Sequence, residues 1–254
     1  MANSKIFSII ALKGGVGKTT VVANLGAALA DEYDKKVLIV DANFSTPHLG
    51  LHVGLIEPEH HLHRVLSDES SINEAVYEHP IGFHIIPGKL APTIVDCDLL
   101  KEKLEPLRDS YDVILIDSSP SLNHEMLAAM QASDEIIVVS SPDYPTLSST
   151  LHAISIAKER GTNIRGLIIN KVRGKNFELG SKEIGNASQV KVLASLPDEI
   201  KVLSALSKMT PVVIDSPKIE VSKLYKTLAG SLINEKPKKK GILSKLKSKK
   251  KKQK

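Results

Sequence analysis

Lys13-Gly14-Gly15-Val16-Gly17-Lys18-Thr19-Thr20 stands between an apolar run, Ile6 to Leu12, and a segment of helical character, Val21 to Ala30. A strand, a glycine-rich turn and a helix opening on Lys-Thr form a phosphate cradle. The glycines let backbone N–H groups of residues 13–20 close on phosphate oxygens, and the helix N-terminus adds positive partial charge. Lys18 is placed to reach the β- and γ-phosphates, and the Thr19 hydroxyl to meet Mg²⁺. Two further apolar runs end in carboxylates: Lys36 to Asp41, and Tyr111 to Asp117. Both read as buried parallel strands. Ligands of an open α/β sheet sit beyond the carboxyl ends of its strands, so Asp41 and Asp117 are expected beside the nucleotide, Asp117 as the Walker B group at the metal. The fold class expected is α/β, a mostly parallel central sheet flanked by helices.

The spaced P-loop pattern asks for glycine at position 12, where this chain has Leu12. The form KGGVGKT is met in full and adds a second lysine, Lys13. On these residues the chain resembles the deviant Walker-A ATPases, the MinD and ParA family. The resemblance implies an ATP-dependent homodimer in which Lys13 reaches the phosphates of the partner's nucleotide. It makes Ala42 to Leu51 the switch I segment and Ser118 to Leu122 switch II, leading into a helix Asn123 to Ala132. Asn170, at the end of the strand Arg165 to Asn170, is implied at adenine, and Pro197 and Asp198 in a loop near the base and ribose. It also implies that Val65-Leu66 ends a short helix and that Ile72 to Ala75 lies in another. The switch I rhythm and the C-terminal tail point to the MinD branch, its archaeal members in particular, whereas Ser118-Ser119-Pro120-Ser121-Leu122 leans toward ParA. Asn43 departs from the usual Asp-x-Asp. An amide positions water by hydrogen bonds but supplies no negative charge and accepts no proton as a base, so ATP hydrolysis is expected to be slow.

At 254 residues and 42% hydrophobic content the chain can bury one sizeable core. Neither an apolar signal segment nor an apolar run near twenty residues is present, which reads as a cytoplasmic chain that does not span a membrane. A lone cysteine, Cys97, excludes an intrachain disulfide framework and any Cys-x-x-Cys metal site. His60, His61 and His63 have metal-binding side chains, but no carboxylate stands at a helical spacing from them, and they read as scaffold. Pro142 to Pro145 reads as a rigid turn before a helix Leu147 to Arg160. Apolar positions from Ile219 to Leu232 give a final helix.

Charge divides the chain at residue 235. Residues 235–254 hold 11 of the lysines and one acid, so this segment carries about +10 against about −5 for the rest. The expected organisation is an ATPase domain, 1–235, and a lysine-rich amphipathic tail, 236–254. Ile242, Leu243 and Leu246 share one face of a short helix, the form of an interfacial anchor on an anionic membrane. A solvated tail and a non-specific DNA-binding arm stay open; without aromatic residues the tail has no base-stacking platform. The functional readings are a positioning switch peripheral to the inner face of the cell membrane, with a protein activator or cargo; a ParA-like partitioning ATPase on DNA; and an ATP-dependent scaffold that does not hydrolyse.

Overall fold

A computed structural model describes residues 4–91 and 94–236. The apolar tail positions Ile242, Leu243 and Leu246 lie outside them. In chain order the elements are β1 (Lys5–Ile10), α1 (Lys18–Tyr33), β2 (Val37–Ala42), α2 (Leu49–Val53), α3 (Leu62–Leu66), β3 (Tyr77–Glu78), β4 (His84–Ile86), α4 (Leu100–Leu104), β5 (Val113–Ser118), α5 (His124–Gln131), β6 (Glu135–Ser140), α6 (Tyr144–Glu159), β7 (Asn163–Val172), α7 (Ser181–Ser188), β8 (Val192–Pro197), α8 (Ile200–Ser207), α9 (Val212–Asp215) and α10 (Glu220–Ile233).

The strands make one sheet in the order β3-β4-β2-β5-β1-β6-β7-β8. Every pairing is parallel except β3 with β4. The parallel strands are apolar on both faces because helices cover both. On one face Val21, Val22, Leu25 and Leu29 of α1 pack with Tyr225 and Leu228 of α10 on Phe7, Ile9 and Ile39. On the other, Leu100 and Leu104 of α4 and Ala128 and Ala129 of α5 cover Leu38, Val40, Ile114 and Ile116. A third cluster joins Ile10, Val138 and Leu167 to Ala153 and Ile154 of α6 and Ile184 of α7.

The expected mostly parallel, helix-flanked sheet is therefore present, with boundaries that moved for local reasons. The first strand stops at Ile10 and α1 opens at Lys18, because Gly17 caps it in the left-handed region at φ 98°. Pro142 to Pro145 is not a free-standing turn. Asp143 accepts the Thr146 N–H at 2.9 Å as the cap of α6, and Pro145 occupies the first turn, where a missing N–H leaves no bond unmade. The helix implied at Ile72 to Ala75 is one turn, closed by Ala75 N–H to the Ile72 carbonyl at 3.2 Å; β3 begins two residues later and leaves no room for more.

α10 sets the long axis of the site. Its start, at Val221 and Tyr225, lines the cleft above the P-loop. Its end lies by the C-terminus of α1, where Lys35 pairs with Glu235 at 2.6 Å and the Tyr33 hydroxyl donates to the Lys226 carbonyl at 2.7 Å. The fourteen residues of α10, at about 1.5 Å each, run about 20 Å from the cleft to that end.

Candidate functional site

The sheet order brings β2, β5 and β1 side by side, so their C-terminal ends converge. Asp41 and Asp117 are directly paired across β2 and β5, and Ile9 of β1 is paired with Asp117. Both carboxylates are buried, Asp41 at 1% exposure and Asp117 at 0%. Asp41 is fastened by the backbone N–H of Leu49 at 2.8 Å and of Asn43 at 3.3 Å. Neither oxygen of Asp117 has a partner at hydrogen-bonding geometry among the described residues. Burial and the neighbouring Asp117 carboxylate drive the Asp41 pKa well up. Burial also pushes Asp117 up, to about 6, against the pull of the Thr19 hydroxyl and the Lys18 ammonium beside it. Lys18 is itself buried, which lowers its pKa, while Asp117 raises it. Asp41, Asp117 and Lys18 thus share one buried pocket, in which a bound cation would favour the ionised form of both carboxylates.

The P-loop runs from β1 to α1 with Gly15 and Gly17 at φ 78° and 98°. Gly14, Gly15, Gly17, Lys18, Thr19 and Thr20 line a cleft of about 370 Å³. Val16 is buried at 2% exposure, and its carbonyl accepts the Asn170 side-chain N–H at 2.8 Å. Asn170 thus clamps the P-loop with its amide nitrogen and keeps its side-chain oxygen for a ligand. Asn43 also borders the cleft, with its side chain committed locally: its N–H donates to the Thr46 carbonyl at 2.6 Å, and its oxygen accepts the Thr46 hydroxyl at 3.2 Å. Pro197 and Asp198 lie on the cleft wall where β8 gives way to α8, and Asp198 is held by Arg173 at 2.7 Å.

Lys13 lies on the rim, 43% exposed. Its ammonium donates to Thr146 at 2.8 Å and pairs with Asp143 at 3.3 Å within the same chain. Burial would raise the Asp143 pKa, but hydrogen bonds from Ser141, Thr146 and Lys13 outweigh it and hold the group at about 2. Leu122, Tyr144 and Phe177 are exposed large apolar side chains on the segments that follow β5, β6 and β7, Leu122 and Phe177 in loops and Tyr144 at the first position of α6.

Several cleft residues were not singled out from sequence: His48 before α2 and His52 within it, Lys171, Leu203 and Leu206 of α8, and Val221 and Tyr225 of α10. Helical apolar side chains look like core until their neighbours are known, so only Lys171 had a readable signal. It follows Asn170 and sits in the left-handed region at φ 59°, a strain that clusters at ligand sites. Each histidine of the trio is hydrogen-bonded within the fold. His60 bonds to Ser70, His61 caps α3, and His63 sits between Phe44 and Lys89. Among the described residues no group of three or more His, Cys, Asp or Glu side chains could hold a metal ion.

A family model for an AAA domain matches residues 4–165. The chain aligns in three dimensions with the cell division ATPase MinD of Pyrococcus furiosus at TM-score 0.86 and 29% identity, covering 92% of this chain and 99% of that one. This chain belongs to the MinD/ParA family of P-loop ATPases. An ATP-binding protein of Methanocaldococcus jannaschii is 34% identical over 227 residues, 88% of this chain and 86% of its own length. The septum site-determining protein MinD of Pyrococcus horikoshii, complexed with Mg-ADP, matches at TM-score 0.85 and 28% identity over 90% of this chain and 96% of that one.

Magnesium fits the MinD/ParA site found here. It takes hard oxygen ligands, typically one or two carboxylates completed by phosphates and water. Asp117, whose oxygens make no hydrogen bond of full geometry among the described residues, Asp41 and the Thr19 hydroxyl form such a donor set, at the ends of β5 and β2 and the start of α1. Among the described residues no helix is long and apolar enough to cross a membrane.

Proposed function

We propose that this chain is an ATP-driven positioning switch: it binds Mg-ATP, dimerises across the nucleotide edge, and associates with an anionic membrane surface through its tail. Lys18 and the backbone of residues 14–20 hold the phosphates. Thr19, Asp41 and Asp117 hold Mg²⁺, which when bound neutralises charge on the phosphates. Asn170, Pro197 and Asp198 serve the base and ribose, and Asn43 orients the attacking water. The rim carries the dimer reading: Lys13 is exposed, and exposed apolar side chains, Leu122, Tyr144 and Phe177, follow the C-terminal ends of β5, β6 and β7, so a second copy docked on that edge would cover apolar surface and meet the lysine together. Lys13 would then exchange Asp143 for the partner's nucleotide.

The division into a domain, 1–235, and a tail, 236–254, belongs to this proposal. A tail with three apolar side chains is a weak anchor, each nearby lysine adding roughly 1 kcal/mol on an anionic surface. Two tails on one dimer raise avidity with no new contact, so ATP controls membrane residence. That places the protein at the inner face of the cell membrane, where a protein activator or cargo would act on it. The experiment is co-sedimentation with anionic liposomes, in ATP and in ADP, for the full chain and for one stopped after Glu235. The full chain should pellet in ATP only and the truncated chain in neither. Retardation of DNA with no liposome pelleting would instead establish the ParA-like reading, in which the lysines grip phosphate by charge alone.

Slow turnover follows from Asn43. Both ends of its amide are engaged by Thr46, and it has no basic oxygen to accept a proton. Asn43→Asp should raise kcat for phosphate release at saturating Mg-ATP by at least about tenfold, the lower range of general-base effects. Robust hydrolysis by the unmodified chain, unchanged in the variant, would dismiss Asn43 as the limit and with it the motive for a non-hydrolysing scaffold.

A further inference from the structure

We propose that His63 is a positioning residue for the nucleotide: a neutral imidazole that ties switch I, at the Phe44 carbonyl, to the loop after β4, at the Lys89 N–H. This rests on the reading of residues 41–51 as the arm that faces the phosphates. His63 is 1% exposed. Its Nδ1 lies 3.2 Å from the Lys89 backbone nitrogen and its Nε2 3.0 Å from the Phe44 oxygen. A backbone N–H can only donate and a carbonyl can only accept, so the two partners dictate the tautomer: Nδ1 accepts and Nε2–H donates. The ring also meets Phe44 edge-on, centroids 5.6 Å apart.

The tie reaches the nucleotide groups directly. Phe44 follows Asn43, and the loop anchored by Lys89 begins at Gly88, packed so closely on switch I that a Cβ there would overlap Pro47 and stand 3.4 Å from the Asp41 carboxyl carbon. Switch I has a second attachment, Ser45 to Glu125 of α5, but it is exposed, and exposed hydrogen bonds compete with water. The His63 ring is buried at 1% exposure and joins two backbone groups at once, so although a cavity of about 320 Å³ lined by His61, His63 and Lys89 adjoins it, a water there could not span from Lys89 to Phe44 in its place; the bridge holds Phe44, and with it the neighbouring Asn43.

Three substitutions separate positioning from mere filling. His63→Gln keeps an N–H at the position that faces Phe44; His63→Asn keeps only an acceptor toward Lys89; His63→Ala keeps neither. Affinity for a fluorescent ATP analogue with Mg²⁺, hydrolysis and melting temperature are measured for each. His63→Gln should retain affinity within about threefold, while His63→Asn and His63→Ala lose about tenfold. Equal losses in Gln and Ala, or losses that track melting temperature alone, would overturn the role. Where the Ala variant does not fold, Gln against Asn decides. Nitrogen-15 NMR of the wild-type ring supplies an independent readout: the neutral Nε2–H pattern supports the tie, and an Nδ1–H or doubly protonated ring refutes it. Because affinity is read apart from turnover, a chain that binds but does not hydrolyse overturns the enzymatic reading and leaves this one standing.

Discussion

Asp117→Asn melts about 4–8 °C above the wild-type protein when nucleotide and metal are absent at pH 7.5, and gains nothing from Mg-ADP. The folded Asp117 pKa is raised from 3.8 to about 6, so above pH 6 the folded state bears a charge that burial resists. Two pK units correspond to roughly 3 kcal/mol. The pull of Lys18 is already contained in that figure; the buried amide of the variant stands where no hydrogen-bond partner is available among the described residues, which gives back roughly 1 kcal/mol and leaves about 2 kcal/mol. At 2–4 °C per kcal/mol for a chain of this size, the expected rise follows. The sign can be checked against pH. A raised folded pKa stabilises the protein fully below the unfolded value and loses that stabilisation as pH rises through about 6, so the gain of the variant over the wild type should vanish below about pH 4. His52, His61, His63 and His79, whose pKa values burial lowers, act in the opposite direction in both proteins and cancel in the difference. Calorimetry with and without Mg-ADP reads both halves. At one hundred times its Kd a ligand adds roughly 2.7 kcal/mol to the wild type, and the variant should forfeit that stabilisation. A variant less stable than the wild type, yet still stabilised by Mg-ADP, would refute the metal assignment.

Gly17→Ala should weaken nucleotide binding by at least about a hundredfold. Gly17 has φ 98°, where a side chain costs roughly 1–2 kcal/mol, and an added Cβ would overlap the Asn170 amide nitrogen. Asn170 could move only by leaving the Val16 carbonyl, and a buried polar group left unpaired costs roughly 1–3 kcal/mol. Together these give about 2–5 kcal/mol of lost stability, and the cradle that results no longer presents its N–H groups in register. Asn170→Ala removes the bond without the backbone strain and should lose only about tenfold. Titration calorimetry with ATP measures the pair. Wild-type affinity in Gly17→Ala would mean that the phosphates are held elsewhere.

The sequence by itself determined the parts whose chemistry is local. Glycines, a buried lysine and a threonine at fixed spacing make a cradle wherever a strand feeds a helix, and apolar runs ending in Asp41 and Asp117 bring acids to the same sheet edge. Asn43 was legible too, since the difference between an amide and a carboxylate needs no neighbour to be understood. What only the tertiary structure decided are the contacts between residues far apart along the chain. Lys13 meets Asp143 because β6 lies beside β1, and Asn170 reaches Val16 because β7 follows in the sheet. The pairing of β2 with β5 brings the two carboxylates together in the core, where burial raises both pKa values and the Asp117 charge adds to the rise at Asp41. His63, one of three neighbouring histidines in the sequence, became a bridge only when α3 and the loop after β4 closed on Phe44. Local spacing fixes which groups a segment can present; strand order and packing fix which partners they meet, and burial at those meetings sets their charge.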